Sequence, residues 1–156
     1  MMVKVRKEVV RCNNCKCNNV FLYLSDYAYG ERLVLYNNEQ NYAYLNLYKN
    51  NIFDEFVDCI QDILRKMNKD LDDIKIQEII NSIFNIACDK IEGSEISLCK
   101  EKKCIDCDSM TFEDLLVEPE TIETVDIPIV THDDWTRLSH EQRYESVYDA
   151  LKKYLK

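Results

Sequence analysis

The spacing of hydrophobic and polar positions changes along the chain and predicts an α+β fold. Three short runs rich in Val, Leu and Tyr, separated by turn-forming residues, predict a small antiparallel meander at residues 20–24, 32–36 and 41–48. In the third run aliphatic side chains alternate with tyrosines, so the two faces of the sheet differ. We expect the aliphatic face to pack inward against helices and the tyrosine face to be at least partly exposed.

Apolar residues then recur at three- and four-residue steps, which is the period of amphipathic helices. The spacing predicts one helix over residues 51–68 and a second over about 71–91, with Asp70 as the N-cap of the second. The short connection between them favours an antiparallel helical hairpin. Cys59 and Cys88 lie beside the apolar stripes of these helices, so we expect both to act as small buried hydrophobic residues.

The C-terminal third is acidic and less regular. We expect residues 108–130 to form a partly irregular connector, in which residues 126–130 add an edge strand because proline removes a ladder donor. Capping-box patterns begin at Thr131 and at Ser139, and the second pattern opens a C-terminal helix. Trp135 lies between the two patterns, and we expect it to anchor that helix to the core.

The composition supports one compact domain over residues 1–156. The chain is 46% hydrophobic and has two Gly and two Pro, which excludes collagen-like, low-complexity and wholly disordered proteins. No stretch reaches the ~18 apolar residues of a membrane span, and the charged opening residues lack the apolar core of a signal peptide. We therefore expect a cytoplasmic protein that does not associate with membranes.

Cysteine spacing carries the most specific chemistry in the chain. In a reducing cytoplasm eight cysteines are expected to remain thiols, so their spacing points to metal binding before disulfides. Cys12 and Cys15 form one CxxC pair, and Cys104 and Cys107 form another. Two residues between paired cysteines let one tight turn present both sulfurs to the same ion. We predict that these four thiolates hold a structural zinc ion.

Two further cysteines leave the ligand set open. Cys17 and Cys99 lie close enough in sequence to replace a ligand, and six thiolates also suit an iron–sulfur cluster or a second ion. Unmetallated thiols are the remaining alternative. In each metal-bound case the centre joins residues 12–17 to residues 99–107.

The sequences RCNNC at residues 11–15 and KCIDC at residues 103–107 resemble zinc ribbons and related four-cysteine modules built from knuckles. The usual knuckle often has Pro after its first Cys and Gly after its second, whereas this chain has Asn13 and Lys16. The resemblance covers a small part of the chain and implies a metal site. It implies no particular function, because such modules serve transcription, translation, enzymes and scaffolds alike.

Charge is distributed unevenly along the chain. Residues 1–19, which we call the basic segment, carry five Lys or Arg against one Glu. Residues 106–134, which we call the acidic segment, carry ten Asp or Glu and no Lys or Arg. A net charge of −9 argues against nucleic-acid binding as the main activity, since such binding comes largely from cations that neutralise phosphates. Residues 106–134 instead suit a basic partner, and the alternative is a solvated connector.

Catalytic patterns are weak. The chain has two histidines, His132 and His140, and no glycine-rich phosphate-binding loop, so we do not expect an enzyme.

The leading hypothesis is a non-catalytic, metal-stabilised binding protein that engages a basic protein partner, such as an immunity or antitoxin-type inhibitor. The alternative is a zinc-ribbon accessory factor of nucleic-acid machinery that acts through the basic segment. The expected partner surface comprises tyrosines of the sheet and carboxylates of the acidic segment, namely Tyr42, Tyr44, Tyr48, Asp106, Asp108, Glu113, Asp114, Glu118, Glu120 and Glu123.

Overall fold

A computed structural model describes residues 1–26, 28–38, 41–98 and 102–156. It contains antiparallel strands in two sheets together with packed helices, which confirms the α+β class. The strands are β1 (Met2–Cys12), β2 (Asn18–Leu24), β3 (Glu31–Tyr36), β4 (Asn41–Asn46), β5 (Phe112–Leu116) and β6 (Thr121–Asp126). The helices are α1 (Ile52–Lys66), α2 (Asp73–Ile83), α3 (Asp133–Arg137) and α4 (His140–Tyr154), with a short 3-10 helix at Phe84–Ala87.

β1 is the central strand of the first sheet. It pairs antiparallel with β2 along one edge, and with β6 and then β5 along the other edge. β3 and β4 form the second sheet as an antiparallel hairpin. Because β2 pairs with β1 rather than with β3, two sheets replace the expected three-strand meander. The basic segment, for which no strand was predicted, supplies the longest strand of the fold.

The second sheet lies between the first sheet and the helices. On one face Tyr44 packs with Val5 of β1 in a buried cluster that joins the two sheets. On the other face Ala43 and Leu45 pack against the helices in the main core. The aliphatic face therefore packs inward as predicted, while the first sheet covers much of the tyrosine face.

α4 packs against both α1 and α2, whereas these two helices make few direct contacts with each other, so the predicted hairpin is held together mainly through α4. α2 is shorter than the predicted 71–91. Its N-cap is Asp72 rather than Asp70, because the Asp72 carboxylate accepts a hydrogen bond from the Lys75 amide at 2.8 Å. After Ile83 the backbone tightens into the 3-10 helix instead of continuing the α-helix.

The start of α4 has the predicted capping box. The Gln142 amide donates to the Ser139 hydroxyl at 3.2 Å, and the Ser139 amide donates to the Gln142 side chain at 2.8 Å. Trp135 is 6% exposed, and its ring centroid lies 5.9 Å from that of Phe56 in α1. The tryptophan is therefore buried where α4 meets the core, as predicted.

The pattern at Thr131 does not form a capping box. α3 begins at Asp133, and the carboxylate of Asp89 accepts hydrogen bonds from the Asp133 amide at 2.8 Å and from the Asp134 amide at 3.0 Å. Burial raises the pKa of Asp89, but the Thr131 hydroxyl and these two amides outweigh burial and lower it. A carboxylate distant in sequence thus replaces the local cap.

Residues 108–130 are more regular than expected, since they contain β5 and β6. The edge strand predicted at residues 126–130 does not form, since Asp126 ends β6 and the segment after it makes an isolated parallel bridge between Ile129 and Tyr44 of β4. The Tyr44 amide donates to the Pro128 carbonyl at 2.9 Å, and the Val130 amide donates to the Tyr44 carbonyl at 2.8 Å. This segment therefore contacts both sheets.

Candidate metal centre

The turn between β1 and β2 forms a first cysteine knuckle. The Lys16 amide donates to the Cys12 carbonyl at 3.1 Å, and the Cys12 amide donates to the Cys17 carbonyl at 2.9 Å. The backbone amides of Asn14 and Cys15 donate to the Cys12 sulfur. The turn thus directs two N–H groups at one sulfur and brings Cys15 back beside it.

A second turn, which precedes β5, repeats this pattern at the same spacing. The Asp108 amide donates to the Cys104 carbonyl at 3.0 Å, and the Cys104 amide donates to the Ser109 carbonyl at 2.9 Å. The amides of Asp106 and Cys107 donate to the Cys104 sulfur. The two turns are therefore equivalent knuckles, although their sequences differ.

The conformation at Lys16 and Asp108 explains how these knuckles form without glycine. Each residue follows the second cysteine of its pair, and each has a positive φ, 65° for Lys16 and 60° for Asp108. Asp tolerates this left-handed region, whereas a residue such as Lys adopts it at a cost of about 1–2 kcal/mol. The departure from the usual motif therefore leaves the turn intact and adds local strain.

The four predicted ligands converge. The Cys12 and Cys107 sulfurs are 3.5 Å apart, the Cys15 and Cys104 sulfurs are 3.5 Å apart, and all four lie within 4.8 Å of one another. Zn–S bonds of about 2.3 Å place tetrahedral thiolates about 3.8 Å apart. The four cysteines can therefore hold one metal ion with small adjustments, and the cluster joins the β1–β2 hairpin to the segment that leads into β5.

Hydrogen bonds to sulfur favour the ionised form of Cys12 and Cys104, whereas the hydrogen bond between the Cys15 and Cys17 thiols raises the pKa of Cys15 above its usual range. The Cys15 amide is the main cause of a lowered pKa at Cys12. Burial raises the pKa of Cys104, but hydrogen bonds from the Cys17 thiol, the Asn19 side chain and two backbone amides outweigh burial and lower it to about 5. Thiolates are the form that binds metal, so this environment prepares Cys12 and Cys104 as ligands, while Cys15 would lose its proton as the metal binds.

Asn19 links the two knuckles, and sequence reasoning missed it. Its side chain is 5% exposed, and its carbonyl oxygen accepts from the Ile105 amide at 2.9 Å. Its NH₂ group donates toward the Cys104 sulfur at 3.4 Å and the Cys17 sulfur at 3.6 Å. The one available signal was an asparagine inside a strand near cysteines, since strands are depleted in Asn.

The other cysteines differ in position. The Cys17 sulfur lies 3.1 Å from two sulfurs of the four-cysteine cluster without belonging to it, and Cys99 lies outside the described residues. Cys59 and Cys88 are half-buried against the helical core, and burial raises the pKa of Cys88 to about 12. None of the described cysteines forms a disulfide.

The three tyrosines expected at a partner surface are not equally accessible. Tyr44 is 7% exposed between the sheets, and the hydroxyl of Tyr42 accepts a hydrogen bond from the Leu22 amide at 3.2 Å. Tyr48 is 44% exposed and stacks on Tyr29 with ring centroids 5.1 Å apart. Of the three, Tyr48 therefore offers the most surface to a partner.

The acidic and basic segments are strand neighbours, so part of their charge pairs within the molecule. Acids of β5, β6 and the turn between them contact cations of the basic segment, in the pairs Arg6–Glu120 at 3.6 Å, Lys7–Glu123 at 3.7 Å, Arg11–Glu113 at 3.8 Å and Lys16–Glu113 at 4.0 Å. The remaining cation of the segment, Lys4, pairs with Asp26 at 3.8 Å. Among the expected partner residues, Asp106, Asp108, Asp114 and Glu118 form no ion pair with a described residue.

Comparison with known proteins adds no relative. No protein-family model matches the chain, and neither a curated protein nor a solved structure is significantly similar to it. No helix within the described ranges is long and apolar enough to cross a bilayer. The geometry and charge of the molecule itself therefore carry the functional conclusion.

Proposed function

We propose that this protein is a zinc-stabilised, non-catalytic binding module that engages a basic protein partner through the exposed surface of β5 and β6. The observation that carries the proposal is a highly exposed apolar side chain on each of β5 and β6, with unpaired acids close to the first of them in sequence. Leu115 is 83% exposed and Ile122 is 63% exposed, while Asp114 and Glu118 nearby have no ion-pair partner among the described residues. Exposed apolar side chains rimmed by charge are typical of protein-binding surfaces.

Zinc is the ion that best suits the four-cysteine cluster. Its thiolates are soft ligands, and the two knuckles supply four of them with no position left for water. An iron–sulfur cluster would place several atoms between the thiolates and hold the sulfurs farther apart than the 3.5 Å found for two of the pairs. A closed site of this kind stabilises the fold and supplies no reactive position.

Charge pairing favours a protein partner over nucleic acid. All five cations of the basic segment already pair with carboxylates, whereas Asp114 and Glu118 do not. Such exposed pairs contribute at most about 1 kcal/mol each, but a phosphate backbone would have to break them. An enzyme of basic charge, inhibited in the manner of an immunity or antitoxin-type protein, is the partner class that we favour, because complementary charge speeds association.

The metal part of the proposal is tested by replacing one ligand. We expect Cys104→Ser to lose the tightly held zinc of the reduced protein and to unfold at a lower urea concentration, because metal binding and folding share one free energy. Cys59→Ser is the matched control and should keep the zinc. Elemental analysis that finds no zinc in reducing, chelator-free preparations of the wild type would contradict the proposal.

The partner part is tested by two kinds of surface variant. Neutralising Asp114 and Glu118 together should slow association with the captured partner and flatten its salt dependence, because exposed charges steer encounter. Leu115→Ser should mainly speed dissociation, because apolar contacts hold the complex. Glu145→Gln on α4 and Ile74→Ser on α2 are the matched controls, since both positions are exposed and distant in sequence.

Two outcomes would refute the proposal that the partner binds at β5 and β6. The first is a partner that binds the β5 and β6 variants at unchanged rates, because such a partner docks elsewhere. Nanomolar binding to single-stranded RNA or duplex DNA with a steep salt dependence, lost when Lys4 and Arg6 are neutralised, would establish the nucleic-acid alternative instead.

A further inference from the structure

Cys17 and Asp106 lie beside the four-cysteine cluster on its exposed side. The Cys17 sulfur is 3.1 Å from the Cys15 sulfur and 3.1 Å from the Cys104 sulfur. The sulfurs of Cys15 and Cys17 and a carboxylate oxygen of Asp106 all lie within 4.8 Å of one another. Cys15 therefore belongs to two groups of ligand atoms, one that is largely buried and one that faces solvent.

The side chain of Asn19 contacts Cys17 as well as Cys104. The Ile105 amide fixes the orientation of the Asn19 amide by donating to its oxygen at 2.9 Å, so the NH₂ group faces sulfur. That group donates toward both Cys104 and Cys17. One NH₂ group therefore reaches a sulfur of each set of ligand atoms, Cys104 in the four-cysteine cluster and Cys17 in the exposed group.

We propose that Cys15, Cys17 and Asp106 bind a second divalent metal ion, joined to the first ion by the Cys15 thiolate acting as a bridge. The inference rests on the four-cysteine zinc centre of the proposed function. Two thiolates and one carboxylate select a thiophilic cation such as Zn²⁺ or Cd²⁺ over Mg²⁺ or Ca²⁺, which prefer oxygen. On binding, the Cys17 thiol releases its proton to water, and water completes the fourth coordination position.

The second ion reduces the negative charge of the site. Two divalent ions carry four positive charges, and the five thiolates with one carboxylate carry six negative charges, which leaves a net charge of −2. Before the second ion binds, one zinc ion with four thiolates and the Asp106 carboxylate carries −3, so binding the ion and releasing the Cys17 proton adds one positive charge. Because Cys15 and Asp106 are exposed, the second ion should exchange with solvent faster than the first.

Metal titration of the full-length, reduced, metal-free protein tests the inference. We expect the wild type to bind about two equivalents of Co²⁺ or Cd²⁺, with the second equivalent removed first by a weak chelator. Cys17→Ser and Asp106→Asn should each bind about one equivalent. Asp108→Asn, a carboxylate of the same turn outside both ligand groups, is the matched control and should bind about two. With two ¹¹³Cd ions bound, the two cadmium resonances of the wild type should split each other through the bridging sulfur.

Each other outcome overturns the inference in a distinguishable way. One equivalent in both the wild type and Cys17→Ser removes the second site and leaves the four-cysteine centre standing. Loss of both equivalents in Cys17→Ser, with an unchanged circular dichroism spectrum, would make Cys17 a ligand of the first ion. Two equivalents retained in both variants would place the second ion elsewhere. No tight metal in the wild type would refute the proposed function as well.

Discussion

Replacing Asn19 by Ala tests whether this side chain couples the two knuckles to the metal. The change removes the acceptor of the Ile105 amide and the donor to the Cys104 and Cys17 sulfurs. A hydrogen bond contributes about 1 kcal/mol net, and one to a charged group contributes about 1.5–3 kcal/mol. We therefore expect the free energy of unfolding to fall by about 2.5–4 kcal/mol at pH 7 with zinc bound. Because the lowered pKa of Cys104 keeps this sulfur ionised without zinc as well, the loss without zinc should approach about 1 kcal/mol only below about pH 5, where the Cys104 thiol is neutral.

Any difference between the losses with and without zinc at one pH is a loss of zinc affinity, and each 1.4 kcal/mol of it is about tenfold. At pH 7 we expect this difference to stay within about tenfold, because the hydrogen bond to the Cys104 thiolate is present in both states. Urea unfolding with and without zinc gives the two free energies, and competition with a chromophoric chelator gives the affinity. Asn18→Ala, the exposed neighbour in β2, is the control. If Asn19→Ala matches Asn18→Ala within about 0.5 kcal/mol in both states, Asn19 does not couple metal and fold.

Three further predictions concern local backbone and charge. Lys16→Gly should raise the free energy of unfolding by about 0.5–1 kcal/mol in a urea titration, because glycine relieves the cost of a positive φ. Gly30→Ala should cost at least about 2 kcal/mol more than Gly93→Ala in the same assay: both glycines have positive φ, but a Cβ at Gly30 would lie 2.1 Å from the Tyr48 ring, whereas one at Gly93 meets open space. Asp89→Asn should lower stability at pH 7 by about 1 kcal/mol. Because the folded pKa of Asp89 is lowered, the stabilisation that its carboxylate provides is complete above about pH 4 and is lost as pH falls. The free energy of unfolding of Asp89→Asn should therefore change less on acidification than that of the wild type.

Short-range signals in the sequence predicted those parts of the fold that depend on neighbouring residues. The helix predicted over 51–68 is α1 (Ile52–Lys66), and the capping box at Ser139 forms with both of its hydrogen bonds. The two CxxC pairs predicted that four sulfurs would come together, although many residues separate the two pairs in sequence. In each case the spacing of a few residues carries the geometry, since a helical turn, a cap and a knuckle are each local structures.

Long-range pairing was not predictable in the same way. β1 reads as a basic segment because its exposed positions carry Lys and Arg, although Val3 and Val5 are buried between them. The strand is stable because β2, β5 and β6 pair with it, and no pattern within the segment identifies those partners. The capping of α3 was not predictable for the same reason, because the capping carboxylate belongs to Asp89, which lies far from the helix in sequence.

The central position of β1 has a consequence for how the chain folds as it is synthesised. The hairpin of β1 and β2 is local and can close early, but the other edge of β1 must wait for β5 and β6. At synthesis rates of 5–20 residues per second, that edge stays open for roughly 5–20 s. An open strand edge is a template for pairing with another chain, and cationic side chains discourage such pairing. The lysines and arginines of β1 therefore suit a nascent strand that must remain unpaired, before they meet the carboxylates of β5 and β6.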